Sequence, residues 1–259
     1  MKKDDFRRMA RDPKFIAGIY NYCDRWCERC VFTDRCMTFA MEQAEDEREG
    51  GRPGDAKAFW KRFESAMNAT EAMVAEMAKE HGIRFVPDQL AELSREEQQR
   101  HEDAGNHPLA QSAFAYDEAV DAWFMAGEES LREKEEEILA QARLGVERVK
   151  EEVVGLTEVV EILRWYQPQI YVKLMRALDA DREFEAKSEL PKDSDGSAKV
   201  ALIGMDRSIA AWLRMKDFFP GKTDSILTQL VQLDRLRRAT EQEFPGARSF
   251  VRPGFDVAL

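Results

Sequence analysis

The stretch VKEEVVGLTEVVEILRWYQPQIYVKLMRAL, residues 149–178, decides the fold class of this 259-residue chain. Its apolar residues recur every three or four positions, which is the spacing of one face of an α-helix. The residues with this spacing are Val149, Val153, Leu156, Val160, Leu163, Tyr166, Ile170, Leu174 and Leu178. Pro168 interrupts the run and is expected to kink or end the helix, because proline removes a backbone hydrogen bond. The stretch therefore predicts long amphipathic helical structure.

The same spacing recurs along most of the chain, whereas strand signals are nearly absent. The further helical runs are residues 59–77, 109–138, 209–213 and 226–236. Glycine, proline and polar residues separate the runs at 49–55, 102–108, 189–197 and 219–222. Ser94 with Glu97 fits a capping box, and Thr223 fits a helix start after a Pro-Gly turn. Trp123, Trp165 and Trp212 are expected in the core.

These features predict an all-α protein. We expect an antiparallel bundle of four to five long helices, with a small N-terminal four-cysteine metal-binding segment and an extended C-terminal arm. The expected domains are residues 1–50, which hold the cysteine segment, and residues 51–259, which hold the bundle and the arm.

Charge and hydropathy restrict the partners and the location of the protein. The formal net charge is −11, and the excess of acidic residues lies between residues 37 and 206. Because phosphate contacts require clustered Lys and Arg, a protein partner is expected rather than nucleic acid. No run approaches the roughly 18 apolar residues that span a membrane, and the N-terminus lacks the apolar region of a secretory signal. The sequence thus predicts a cytoplasmic protein without a membrane segment.

All four cysteines of the chain lie in the stretch CDRWCERCVFTDRC, residues 23–36. Their spacing is C-x3-C-x2-C-x5-C. Structural disulfides are not expected, because the cytoplasm keeps thiols reduced. Cys23, Cys27, Cys30 and Cys36 are therefore predicted to be the ligands of one metal centre, with free or redox-active thiols as the alternative.

The kind of metal follows from geometry if residues 23–30 form a helix. Cys23, Cys27 and Cys30 would then lie within about 60° of one another on one helix face. Cys23 and Cys30 would be about 10 Å apart along the axis, whereas a zinc ion holds its sulfurs within roughly 4 Å of one another. Cys36 requires a turn near residues 32–34 to join them. This arrangement favours a [4Fe–4S] cluster, with Zn²⁺ on an irregular segment as the alternative.

The ten residues CERCVFTDRC (27–36) resemble the C-x2-C-x5-C part of iron–sulfur modules in several otherwise unrelated groups. These include the cluster loop of endonuclease-type DNA glycosylases, the cluster-bearing end of AddB-type nucleases and the WhiB-like regulators. The resemblance implies that Cys27, Cys30 and Cys36 are cluster ligands, with Cys23 as the fourth. It covers no other part of the chain and implies no reaction.

The expected function is that of a helical metalloprotein whose centre has a structural, sensing or partner-binding role. The alternatives are an electron-transfer protein that uses the cluster, and a zinc-stabilised accessory protein in nucleic-acid processing. Trp26 lies between two predicted ligands and is expected to shield the centre from water. The histidines form no Glu-x-x-His pair of a di-iron site, and no catalytic residue is predicted.

Overall fold

The computed structural model describes most of the chain, and the regular secondary structure of that part is helical. The described residues are 3–49, 67–68, 70–72, 74–82, 84, 86–144, 148–180, 185, 187 and 191–256. Within these ranges all regular secondary structure is α-helix or 3-10 helix, and no strand is present. The predicted all-α class is confirmed.

Seven α-helices have bounds within the described ranges. They are α1 (Lys3–Ala10), α2 (Met37–Glu49), α3 (Pro87–Asn106), α4 (Pro108–Arg143), α5 (Arg148–Leu178), α6 (Asp193–Phe218) and α7 (Thr223–Glu243). Short 3-10 turns occur at Ile19–Tyr22, Cys27–Arg29, Thr33–Arg35, Pro220–Lys222 and Ala247–Ser249. Residues 74–80 are also helical and end at Gly82, whose φ of 67° is that of a left-handed helix end.

The chain divides into two compact units by its internal contacts. Unit 1 comprises residues 1–98 and 251–259, and unit 2 comprises residues 99–250. The first division falls inside α3. The predicted domain boundary between residues 50 and 51 lies outside the described residues.

Unit 2 contains the helical bundle that the quoted stretch predicts. Helix α5 packs along α6, α4 packs on α5 and α7, and α6 packs on α7. The fully buried side chains in this core include Leu163, Ile170, Leu174, Leu202, Met205 and Ile226. Helix α5 continues through Pro168 rather than ending there. The antiparallel order of the helices remains a prediction.

Aromatic residues fill the centre of unit 2. Trp212 is fully buried, and its indole N–H donates to the hydroxyl of Tyr116 at 3.0 Å. The ring of Trp123 lies edge-on to that of Trp212, with centroids 4.9 Å apart. The predicted core positions of Trp123 and Trp212 are confirmed, whereas Trp165 is only half-buried.

Several predicted helix boundaries are wrong. The capping box of Ser94 and Glu97 lies inside α3, which starts at Pro87, a residue suited to the first helical position. The predicted break at 189–197 is too long, because α6 already begins at Asp193. Its first turn carries two aspartates, which the positive end of the helix dipole stabilises. The predicted start of α7 at Thr223 is confirmed.

The C-terminal residues form compact turns, and an extended arm is not confirmed. Phe244, Ala247 and Phe250 are buried within unit 2, whereas residues 251–256 belong to unit 1.

Candidate metal centre

The backbone around the cysteines is irregular, so the helix expected over residues 23–30 is wrong. Within residues 23–30 only Cys27–Arg29 forms a 3-10 turn, which closes where the Cys30 N–H donates to the Cys27 carbonyl at 3.1 Å. Arg25 has φ of 59°, a left-handed conformation that a right-handed helix cannot accommodate. Cys23, Cys27 and Cys30 therefore do not share an α-helical face. The argument that favoured a cluster from helical spacing no longer applies.

The turn expected before Cys36 is present. Residues Thr33–Arg35 form a 3-10 turn, and the Cys36 N–H donates to the Thr33 carbonyl at 3.2 Å. The segment then closes on itself, because the Ile16 N–H donates to the Arg35 carbonyl at 3.0 Å. The hydrogen bond between Ile16 and Arg35 holds the backbone just before Cys36 against the backbone that precedes Cys23.

All four cysteines nevertheless line one cavity. Cys23, Cys27, Cys30 and Cys36 share its wall with the side chains of Ile19, Tyr20, Trp26, Thr33, Phe39 and Phe255, among others. The cavity encloses about 20 Å³, which is far smaller than the roughly 300 Å³ or more of a typical small-molecule site. All four cysteines are unbridged, and as whole residues they are partly exposed. An organic substrate therefore has no room among the cysteines.

The described residues do not form a preformed site for a single metal ion. No group of three or more His, Cys, Asp or Glu side chains in that part of the chain is arranged to hold one. The four thiols thus share a cavity without converging on one point.

Two cysteine sulfurs make hydrogen bonds with the backbone. The Phe32 N–H donates to Cys30 Sγ at 3.4 Å, and the thiol of Cys23 donates to the Tyr20 carbonyl at 3.5 Å. A backbone N–H that points at a sulfur stabilises the thiolate form, and such bonds tune the potential of iron–sulfur clusters. The environment of Cys30 is therefore suited to a thiolate ligand.

Arg25 and Glu42 are the charged side chains that act on the Cys27 thiol. The Arg25 guanidinium pairs with the Glu42 carboxylate of α2 at 2.7 Å. Burial raises the pKa of the Cys27 thiol to about 11, against the opposing effect of the nearby Arg25. The charge of Glu42 and of the neighbouring Cys23 and Cys30 raises it further. Without a metal Cys27 is therefore protonated at neutral pH, and metal binding there must displace a proton.

Aromatic side chains form much of the remaining wall. Trp26 lines the cavity as expected, and the Arg29 guanidinium lies over its ring at 4.1 Å. Phe255 reaches the same cavity from the C-terminal tail of unit 1. Phe255 was not predicted as part of the site. It is one of three phenylalanines among the prolines and glycines of the tail, and no local pattern distinguishes it from the other two.

A much larger groove lies in unit 2, between α4 and α7. Its volume is about 1100 Å³, and half-exposed Leu227 and Val231 form part of its floor. It is open to solvent, and the structure shows no set of convergent catalytic groups among its lining residues. We therefore assign the candidate chemistry to the cysteines rather than to this groove.

Comparisons with known proteins supply no family for this chain. No protein-family description, no curated protein and no solved structure matches it. Among the described residues, no helix combines the length and the apolar character that crossing a membrane requires.

Proposed function

We propose that this chain is a helical metalloprotein whose Cys23, Cys27, Cys30 and Cys36 hold a [4Fe–4S] cluster in a structural, sensing or partner-binding role. The observation that carries the proposal is that all four thiols, the only ones in the chain, line one small cavity. The four-cysteine ligand set is complete, so the cluster would have a protein ligand for each iron.

The small number of buried apolar side chains in the described part of unit 1 supports a stabilising role for the centre. Among the described residues of unit 1, only Ile19 and Ala78 are buried apolar side chains. Small folded segments that bury little apolar surface need a metal or another crosslink to remain ordered. A metal bound to four cysteines is such a crosslink, since its binding free energy becomes folding free energy.

The lack of convergence of the thiols fits a cluster better than a single ion, and because the cavity of about 20 Å³ holds roughly one water-sized group, we infer that the cysteine segment opens when the cluster binds. Zinc requires its four sulfurs to converge on one point, within bonds of about 2.3 Å. A cubane spreads its four thiolates over a larger volume, and here the thiols surround a cavity walled by Trp26, Phe39 and Phe255. An apolar wall limits access of water and oxidants to a cluster. Zn²⁺ on the irregular segment is the second candidate, because the 3-10 turn Cys27–Arg29 brings two ligands together without an α-helix.

The proposal includes a reducing compartment and a protein partner. Free thiolate ligands are maintained in the cytoplasm, where disulfides are rare. The excess of acidic residues between 37 and 206 makes a basic protein surface a more favourable partner than nucleic acid.

The deciding experiment is metal and sulfide analysis of protein purified without oxygen. We expect iron and acid-labile sulfide in equal amounts, four of each per chain, with broad visible absorbance from thiolate-to-iron charge transfer. The Cys30→Ser variant should lose both. The matched control is Val31→Ala, since Val31 adjoins Cys30 and is 85% exposed.

Each result has a distinct meaning. One zinc per chain and no iron would replace the cluster with the second candidate and exclude electron transfer at this centre. Absence of both metals from wild-type protein, before and after anaerobic reconstitution, would refute the proposal.

A further inference from the structure

The cysteine cavity has a wall that comes from the other end of the sequence. Residues 251–256 belong to the same unit as the cysteines, although more than 200 positions separate them. The Phe255 side chain lines the cavity that the four cysteines line. Its ring lies edge-on to that of Phe32, with centroids 5.1 Å apart. The tail thus contacts the loop that joins Cys30 to Cys36.

The tail sits closely against the start of the cysteine segment. Gly254 is buried and has φ of 78°, a conformation that glycine adopts without strain. A Cβ atom at this position would lie 3.0 Å from the Cδ1 atoms of both Ile16 and Ile19. Such a separation is tighter than ordinary carbon contacts. Glycine therefore allows the tail backbone to approach these side chains.

The tail is also held in its turn by its own side chains. The Arg252 guanidinium makes hydrogen bonds with both carboxylate oxygens of Asp256, at 2.9 and 3.1 Å. The backbone N–H of Asp256 and that of Phe255 both donate to the Arg252 carbonyl at 3.2 Å. The Arg252 guanidinium lies 4.8 Å from the centre of the Phe255 ring. These contacts are all within the tail, so they hold the Phe255 ring in place without a bound metal.

We propose that residues 251–256 form a lid over the four-cysteine cavity, with Phe255 as the residue that closes it. This proposal depends on the proposed function only because the lid covers the same four thiols. Its role is to limit the access of oxidants, chelators and thiol reagents to the cysteines. If the closed lid also raises the affinity of the cavity for a metal, the bound metal stabilises the closed lid by the same free energy.

The test measures thiol accessibility in the full chain as purified, together with its metal content. Reduced protein is treated with iodoacetamide under anaerobic conditions, and alkylation of the cysteines is followed by intact mass. We expect Phe255→Ala to be alkylated about tenfold faster than wild type, which corresponds to a change of about 1.4 kcal/mol in the opening equilibrium. The control is Phe114→Ala, the same change at a 47% exposed phenylalanine that does not line the cysteine cavity, and it should react at the wild-type rate.

A second variant displaces the lid without removing its aromatic ring. Gly254→Ala introduces a methyl group against Ile16 and Ile19 and should also accelerate alkylation. Gly82→Ala is its matched control, because Gly82 has a φ of 67° and a Cβ there meets no atom within 4 Å. Circular dichroism establishes that each variant is folded before its rates are compared.

The lid and the metal centre can fail separately. Equal alkylation rates in folded wild type, Phe255→Ala and Gly254→Ala would overturn the lid whatever the metal content. If the chain holds no metal, the proposed function fails, while faster alkylation of both variants would still establish the lid. If metal is present, its transfer to a chelator should accelerate about as much as alkylation does in Phe255→Ala. Unchanged transfer would refute the coupling between lid and metal.

Discussion

The described parts of units 1 and 2 bury apolar side chains to very different extents. In unit 2 the four helices α4–α7 enclose a continuous core in which Leu163, Leu202 and Trp212 are fully buried. In the described part of unit 1, Ile19 and Ala78 are the only buried apolar side chains, and all four cysteines are partly exposed. The two units therefore need different sources of stability.

The two units differ in how far buried apolar area offsets the entropy cost of ordering the chain. Ordering one residue costs roughly 1–2 kcal/mol, and buried apolar area returns about 25 cal/mol per Å². Unit 2 has enough buried area in its helical faces to offset that entropy. The turns between Ile16 and Cys36 do not bury comparable area, so we infer that their order depends on a crosslink through the cysteines.

The largest expected effect is on unit 1 when its metal ligands are removed. In Cys30→Ser the amides of residues 19–36 should lose protection from hydrogen exchange, because the crosslink is broken. The amides of α5, which lie in the core of unit 2, should keep theirs. Hydrogen exchange followed by mass spectrometry measures both regions in one sample. Retained protection of residues 19–36 would show that the segment is stable without a metal and would remove the contrast between the units.

A smaller effect is expected from a cavity in unit 2. Trp212→Ala deletes a fully buried side chain that contacts Trp123 and donates a hydrogen bond to Tyr116. The free energy of unfolding of unit 2 should fall by about 3–5 kcal/mol, as for other large buried aromatics. Chemical denaturation followed by circular dichroism measures the change. Leu213→Ala, at the next position and 49% exposed, should change it by less than about 1 kcal/mol.

The smallest effects are expected from two glycines within the bundle, and they differ in sign. A Cβ at Gly204 of α6 would lie 3.0 Å from Tyr166 Cδ1 and 3.2 Å from Ile170 Cγ1. Both neighbours are buried in α5 and have little room to move, so Gly204→Ala should destabilise unit 2 by about 1–2 kcal/mol.

Gly155 provides the matched comparison on α5. A Cβ there would be 3.5 Å from Phe218 Cζ, which is an ordinary contact. Gly155→Ala should therefore raise the free energy of unfolding by about 0.5–1 kcal/mol, because alanine is the better helix former. Destabilisation by both substitutions to the same degree would show that close packing between α5 and α6 does not distinguish the two sites.

The helices were predictable because their signal is local and repeats. The spacing of Leu156, Leu163 and Ile170 is a property of neighbouring residues, and all three are buried as that spacing requires. The helix boundaries were less predictable. Ser94 and Glu97 have the pattern of a cap, yet Pro87 starts the helix seven positions earlier. A local pattern does not reveal whether the preceding turn is already helical.

In the cysteine segment, the closeness of the side chains was predictable from the sequence, whereas the backbone conformation was not. Its four thiols and the turn before Cys36 followed from the sequence, whereas the helix over residues 23–30 did not form. The left-handed backbone of Arg25 carries no clear sequence signal, since such a conformation is most often adopted by glycine or asparagine. The cysteine spacing therefore predicted that the four side chains lie together, and they line one cavity, but it did not predict the backbone around them. Their role as metal ligands stays a prediction.

The sequence by itself determined the helical class and the closeness of the four thiols, because both depend on residues that are near one another in the chain. The tertiary structure decided that the thiols line one cavity and that Phe255 forms part of its wall. A contact between residues 23–36 and residue 255 has no periodic or local signal. It exists only because folding brings the C-terminal tail to Ile16 and Ile19, where Gly254 leaves room for the backbone to approach.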